Sequence, residues 1–247
     1  AGVLIYNVDE SPLRDVEIEA RTPDGTVTNV IGTIQPLSFL KVPLNFSCNA
    51  PESQDNVALT LSLLSGGNIL DEQEFQLAVK APEDLHHRTF VSTIDGSVQY
   101  YAVRPAVPDN ETDEQDPGIA LSLHGASVEA RGQAACYRPR SWVHVVAPTN
   151  RRPFGFDWEH WGRMDAMEVL EDAAERYPNN PRRRWLTGHS MGGHGTWQLG
   201  ATLPDQWSAI APSAGWISFW TYGGPDRYER DGGVKEILHR AANPSDT

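Results

Sequence analysis

The chain has 247 residues, 39% of them hydrophobic and 21% charged, a balance that buries a sizeable core in one large domain or two ordinary ones. A formal net charge of −13 works against binding nucleic acid, whose phosphates need clustered Lys and Arg. No run approaches the roughly 20 apolar residues that span a bilayer, and the first residues lack a basic-then-apolar signal pattern.

Residues 1–82 read as an all-β domain. Asp15 to Ala20 alternates polar and apolar residues, and Val57, Leu59, Leu61 and Leu63 repeat at period two, which puts each set on one face of a strand. Turn residues separate the runs at Thr22-Pro23-Asp24-Gly25, Asn49-Ala50-Pro51 and Ser65-Gly66-Gly67-Asn68. Short strands at this spacing predict a small sandwich of the immunoglobulin kind. The polar, proline-bearing stretch Ala81 to Asp84 marks a junction, with a second domain over 83–247. His86-His87 at that junction is expected at the surface. Two β-rich runs between Arg88 and Arg104 flank Asp95-Gly96, which predicts a hairpin with a two-residue turn. The acidic stretch Asp109 to Asp116 reads as an exposed loop, and it lacks the alternating ligands of an EF-hand.

From Gly118 the signals alternate. Ile119 to Leu123 and Trp142 to Ala147 are apolar strands, joined by a crossover of short-helix length. Asp165, with Glu168 three residues on, predicts a capped helix whose stripe is Met167, Leu170, Ala174 and Tyr177, ending at Pro178. Arg184 to Thr187 is a strand, His194 to Leu203 a helix and Trp207 to Ala211 a further strand. This order predicts an α/β domain with a parallel sheet covered on both faces and ligands at the carboxyl ends of its strands. Arg151-Arg152 and Arg182 to Arg184 are read as solvated surface. Cys48 and Cys136 make neither a disulfide framework nor a metal site. No His, Cys, Asp and Glu cluster has ligand spacing, so no metal or other cofactor is expected.

Between the last strand and helix of this series lies Gly188-His189-Ser190-Met191-Gly192, a Gly-x-Ser-x-Gly pattern. A strand that turns directly into a helix forces one residue into a strained conformation, and the two glycines leave room for it. Ser190 then stands at the sheet edge, with the free amides and positive end of the helix beside it. The competing reading is a serine that merely caps the helix.

Three pieces together resemble the α/β-hydrolase superfamily, and more narrowly esterases and peptidases of the prolyl-oligopeptidase type. They are Leu123-His124-Gly125-Ala126 after a strand, Trp158 to Asp165 ahead of a helix, and Gly188 to Gly193. The resemblance covers roughly residues 86–216, and the β-rich segment before it is similar to the amino-terminal sandwich of some members. It implies that Ser190 is the nucleophile of an acyl-enzyme and that the amides of Met191 and Ala126 form the oxyanion hole. His124 and Gly125 would support the oxyanion loop. Trp158, His160, Trp161 and Trp216, with Trp220, would line the substrate pocket.

The end of the chain departs from the family pattern. The triad order is Ser, acid, His, each partner following a later strand, and Met191 to Thr247 is too short to encode both. His189 and His194 lie too close to Ser190 along the chain to be its base, and His239 with Asp226 or Asp231 lacks a strand to carry it. The triad acid and histidine are therefore expected beyond Thr247, on a hydrolase sheet incomplete at its carboxyl end. Ester hydrolysis is the favoured activity, on a small molecule, a lipid or a polysaccharide. Peptide hydrolysis is the alternative, disfavoured because no propeller lid is encoded, and a non-catalytic carbohydrate- or protein-binding module is the third. The chain begins at Ala1 without an initiator Met, so the missing signal does not establish a cytoplasmic address; the address is left unknown, with a secreted or periplasmic one favoured over a cytoplasmic one.

Overall fold

The structure is a computed structural model that describes residues 1–46, 48–49, 55–108, 116–151 and 157–217. The chain divides into two compact units, Ala1–Asp84 with Thr89–Gln99, and Leu85–Arg88 with Tyr100 onward.

The first unit holds β1 (Gly2–Asn7), β2 (Leu13–Thr22), β3 (Gly25–Ile34), β4 (Ser38–Pro43), β5 (Asn56–Ser65) and β6 (Asn68–Ala78). A four-stranded antiparallel sheet runs in the order β3-β2-β5-β6, and β1 pairs with β4 in a second sheet. The period-two alternation places Val16, Ile18 and Ala20 of β2 inside and leaves Glu17 and Glu19 on the opposite face. Val57, Leu59 and Leu61 of β5 are buried in the same way. Ile5, Val42 and Leu44 close over this face to form a two-layer core. Each such side chain contributes roughly 1.5–3 kcal/mol by leaving water. Gly66 and Gly67, with φ of 55° and 80°, join β5 to β6 by the two-residue hairpin their sequence predicts.

The second sheet system comprises β7 (His86–Val91), β8 (Val98–Arg104), β9 (Gly118–Leu123), β10 (Val143–Pro148), β11 (Arg184–His189) and β12 (Ala209–Ser213). Its order is β7-β8-β10-β9-β11-β12. The four strands β10, β9, β11 and β12 are parallel, as the alternation predicts, whereas β8 runs antiparallel to β10. The sheet is thus mixed, with an antiparallel edge laid down before the first crossover. Helices α1 (Ala130–Ala135), α2 (His160–Arg176) and α3 (Met191–Thr202) connect the parallel strands.

This order has one functional consequence. The chain leaves β9 toward β10 but leaves the adjacent β11 toward β12, so the two connections diverge between β9 and β11. Such a switch point opens a crevice at the carboxyl ends of the two strands, and in this fold both candidate loops emerge there. The sheet order, the crossover helices and the strand-to-helix elbow fit an α/β-hydrolase fold.

Three local expectations need correction. The loop between β7 and β8 spans 92–97, wider than Asp95-Gly96 alone, because the Asp95 carboxylate accepts the Ser97 amide and hydroxyl and Gly96 bonds back to Ser92. Helix α2 begins at His160, five residues before the predicted cap, with Glu159 at its N-cap position. Its buried face is Ala166, Val169, Leu170 and Ala173; Met167, Ala174 and Tyr177 are half-buried flanks. Asp165, read as the helix cap, instead lies within the helix and is completely buried, so the buried face is set in a different register from the predicted stripe. Residues 109–115 of the acidic stretch lie outside the described residues.

Candidate active site

Ser190 occupies the junction of β11 and α3 with φ 57° and ψ −117°, a conformation that costs a non-glycine residue on the order of 1–3 kcal/mol. Its amide donates to the Ser213 carbonyl at 2.9 Å, and its carbonyl accepts the His194 amide at 3.0 Å. Although it sits at the N-cap position, its hydroxyl makes no capping bond. The capping reading of Ser190 therefore fails, and the residue is half-buried at the head of the helix.

The flanking glycines are there for space. A Cβ on Gly192 would overlap the Leu123 carbonyl, and one on Gly188 would overlap the Gly192 backbone, so the first turn of α3 rests directly on β9. Both obstacles are main chain and cannot rotate away. Gly192→Ala is expected to cost about 3 kcal/mol or more of stability. Chemical denaturation would test this, and a loss under ~1 kcal/mol would mean that the elbow relaxes more easily than its contacts imply.

Gly125 is the nearest part of the opposing loop: a Cβ added there would lie 3.6 Å from the Ser190 Cβ and 3.3 Å from the His189 carbonyl. The fold thus brings Ser190, Gly125 and the start of α3 together. Met191 is the first helical residue, so its amide has no intrahelical acceptor. Ala126 is exposed directly after Gly125. His124 is fully buried, its Nδ1 2.9 Å from the Gly125 carbonyl and its Nε2 3.2 Å from that of Thr149. It braces the loop from beneath.

The predicted pocket residues separate. Trp158 is completely buried; its indole donates to the His124 carbonyl at 3.1 Å and its ring meets the His124 ring edge-on at 4.9 Å. That placement corrects its assignment as a pocket wall, since it packs behind the loop. His160 is exposed at the start of α2. Trp161 is 40% exposed beneath the Arg151 guanidinium, and Trp216 stacks on His194 at 4.9 Å. Trp220, His239, Asp226 and Asp231 lie outside the described residues. His189 is exposed with Nδ1 3.2 Å from the Ser213 hydroxyl.

Two clusters were not readable from spacing. Arg151, expected at the surface, is 4% exposed and lies 2.6 Å from Glu168 and 3.5 Å from Asp165. Asp165 also accepts the backbone amides of Asn150 and Arg151, which both have left-handed φ. It is a loop brace on a helix interior, not a helix cap. Burial pushes the Asp165 carboxyl up to about 6, against the pull of Arg151 and the two amides. A folded value above the unfolded 3.8 favours the protonated form, so this contribution is full below about pH 4 and lost as pH rises through about 6. Relative to Asp165→Asn, the parent should lose on the order of 3 kcal/mol across that window. Thermal unfolding of the two proteins from pH 4 to 7 measures it, and a difference that stays flat with pH would refute the assignment.

The second cluster joins His194, Glu159 and Asp157. The His194 Nδ1 donates to the Trp216 carbonyl at 2.9 Å, and its Nε2 faces Glu159 at 3.0 Å and Asp157 at 3.5 Å. Both ring nitrogens are engaged, so His194 is not placed as a base for Ser190. Burial pulls its affinity for a proton down, but the bond to Glu159 and the charge of Asp157 outweigh it and the net direction is upward. Asp157 is raised to about 6 by burial.

Residues 128–247 match the Esterase family model. An uncharacterized secreted protein of Arthroderma benhamiae is 29% identical over 164 residues, covering 58% of this chain and 17% of that protein. The chain therefore spans less than a fifth of that relative's length. Among solved structures, an S-formylglutathione hydrolase from Staphylococcus aureus is 18% identical with a TM-score of 0.47, covering 64% of this chain and 66% of its own. A thermostable esterase is 17% identical with a TM-score of 0.44, covering 85% and 72%.

Proposed function

We propose that this chain carries the nucleophile of a serine hydrolase that cleaves carboxylic esters. The observation that bears most weight is the free hydroxyl of Ser190, held in a strained elbow at the switch point instead of capping its helix. In this reading Ser190 Oγ attacks the ester carbonyl carbon while the amides of Met191 and Ala126 stabilise the oxyanion. One such donor typically contributes about 3 kcal/mol to lowering the barrier. The bond to the alkoxy oxygen breaks, the alcohol leaves with a proton, and water then releases the acid and restores Ser190. His124 and Gly125 keep the loop in place, with Trp158 packed behind them.

The match of residues 128–247 to an esterase family supports an ester substrate over a peptide. A small-molecule, lipid or polysaccharide ester is the proposed class, with Trp161 and Trp216 the available aromatic surfaces. The general base and its acid are assigned outside the described residues. The antiparallel layers of the first unit support an immunoglobulin-like reading of residues 1–82. Treating the protein with a fluorophosphonate probe and mapping the adduct by mass spectrometry tests the proposal. A single adduct on Ser190, absent in Ser190→Ala, is expected; an adduct elsewhere, or none, would overturn it.

A further inference from the structure

The cluster of Asp157, Glu159 and His194 contributes nothing to the proposed acyl transfer, yet it is built more carefully than a chance ion pair. We propose that these three side chains form a binding site for a divalent transition-metal cation of the zinc type. Their donor atoms, one from each residue, all lie within 4.8 Å of one another. The His194 Nε2 is 3.0 Å from Glu159 Oε1 and 3.5 Å from Asp157 Oδ1. Ligands about 2.1 Å from a tetrahedral zinc are about 3.4 Å apart, so an ion enters with small side-chain adjustments.

The surroundings fit a ligating imidazole. Nδ1 donates to the Trp216 carbonyl and the ring lies flat against the Trp216 indole, with an interplanar angle of 13°. A histidine whose second nitrogen is tied to a backbone carbonyl has its tautomer and direction fixed, which is the outer support that metal-bound histidines have. Here it points Nε2 at two carboxylates. His194 is 1% exposed, Glu159 9% and Asp157 15%.

Charge points the same way. Two carboxylates facing one imidazole leave a negative excess even when the ring is protonated, and excess charge away from water is costly. A divalent cation on two carboxylates and a neutral imidazole balances it. One nitrogen and two oxygens suit a borderline cation such as zinc; calcium and magnesium favour all-oxygen shells with more ligands. The ion would tie the entry to α2 and the chain at Trp216 to α3, the helix that begins beside Ser190. Sequence spacing gave no hint, because His194 stands 35 residues from Glu159.

The test is zinc titration of the chelator-treated chain by isothermal calorimetry and thermal unfolding, with Cys48 and Cys136 replaced by serine in every protein so that thiols do not compete. One zinc per chain is expected, with a dissociation constant in the micromolar range or below. At a hundredfold excess over that constant, the unfolding midpoint should rise by about 5 °C or more. Glu159→Gln and Asp157→Asn, which preserve shape, should each weaken binding at least about tenfold, in line with removal of a ligand. His194→Gln should abolish it. No saturable zinc binding below 100 µM, on the order of the weakest affinity a three-ligand site would give, would overturn the proposal. So would unchanged affinity in both carboxamide variants, or tighter binding of magnesium than of zinc. None of these readouts depends on ester turnover.

Discussion

Ser190→Ala is expected to lower hydrolysis of a simple aryl ester on the order of 10⁴-fold or more, with the fold unchanged. The two halves of this expectation have separate causes. On the proposed mechanism the loss follows from removing the nucleophile, which leaves only substrate binding and the proposed oxyanion donors Met191 and Ala126. The retained stability follows because the Ser190 hydroxyl makes no capping bond, and because alanine meets the same positive φ of 57° as serine. Turnover of 4-nitrophenyl acetate measured beside circular dichroism and thermal unfolding separates them. Activity within tenfold of the parent would place the nucleophile elsewhere, whereas loss of activity together with the fold would leave the hydroxyl a structural group.

Arg151→Met should destabilise the protein by about 3–5 kcal/mol at pH 7, the range for breaking a buried ion pair by removing one partner. The guanidinium is 4% exposed and faces two carboxylates, of which Asp165 is completely buried and Glu168 14% exposed. Methionine fills much of the volume but removes the cation that both carboxylates face. Lost contact with the Trp161 ring, 5.6 Å from the guanidinium carbon, adds a smaller amount. The midpoint of thermal unfolding should fall by roughly 10 °C. Arg151→Met with Asp165→Asn should recover part of that loss, since asparagine still offers an acceptor to the amides of Asn150 and Arg151. A single variant with an unchanged midpoint would mean that water reaches the cluster and screens it.

Much of the site was legible because its determinants are local. Gly188, Ser190 and Gly192 occupy one turn, and the turn's steric demands appear in residue types alone. The alternation in β2 and β5 and the Gly66-Gly67 hairpin are legible for the same reason. The same local rules misassigned Asp165, since an Asp followed by a Glu three residues later resembles a cap wherever it occurs. What distinguishes the two roles is a loop fifteen residues upstream whose amides the carboxylate reaches only after folding.

By itself, then, the sequence determined the strand-to-helix elbow, the His124-Gly125 loop and the all-β character of the first eighty or so residues, through periodicity and turn chemistry that act over a few residues. Only the tertiary structure decided that β8 runs antiparallel to β10, that Trp158 backs the loop instead of lining a pocket, and that Arg151 is buried. It also decided that His194 meets Glu159 and Asp157. Each of these depends on which distant segments share a low-dielectric interior, and that is set by packing across the sheet, a quantity that spacing along the chain does not carry.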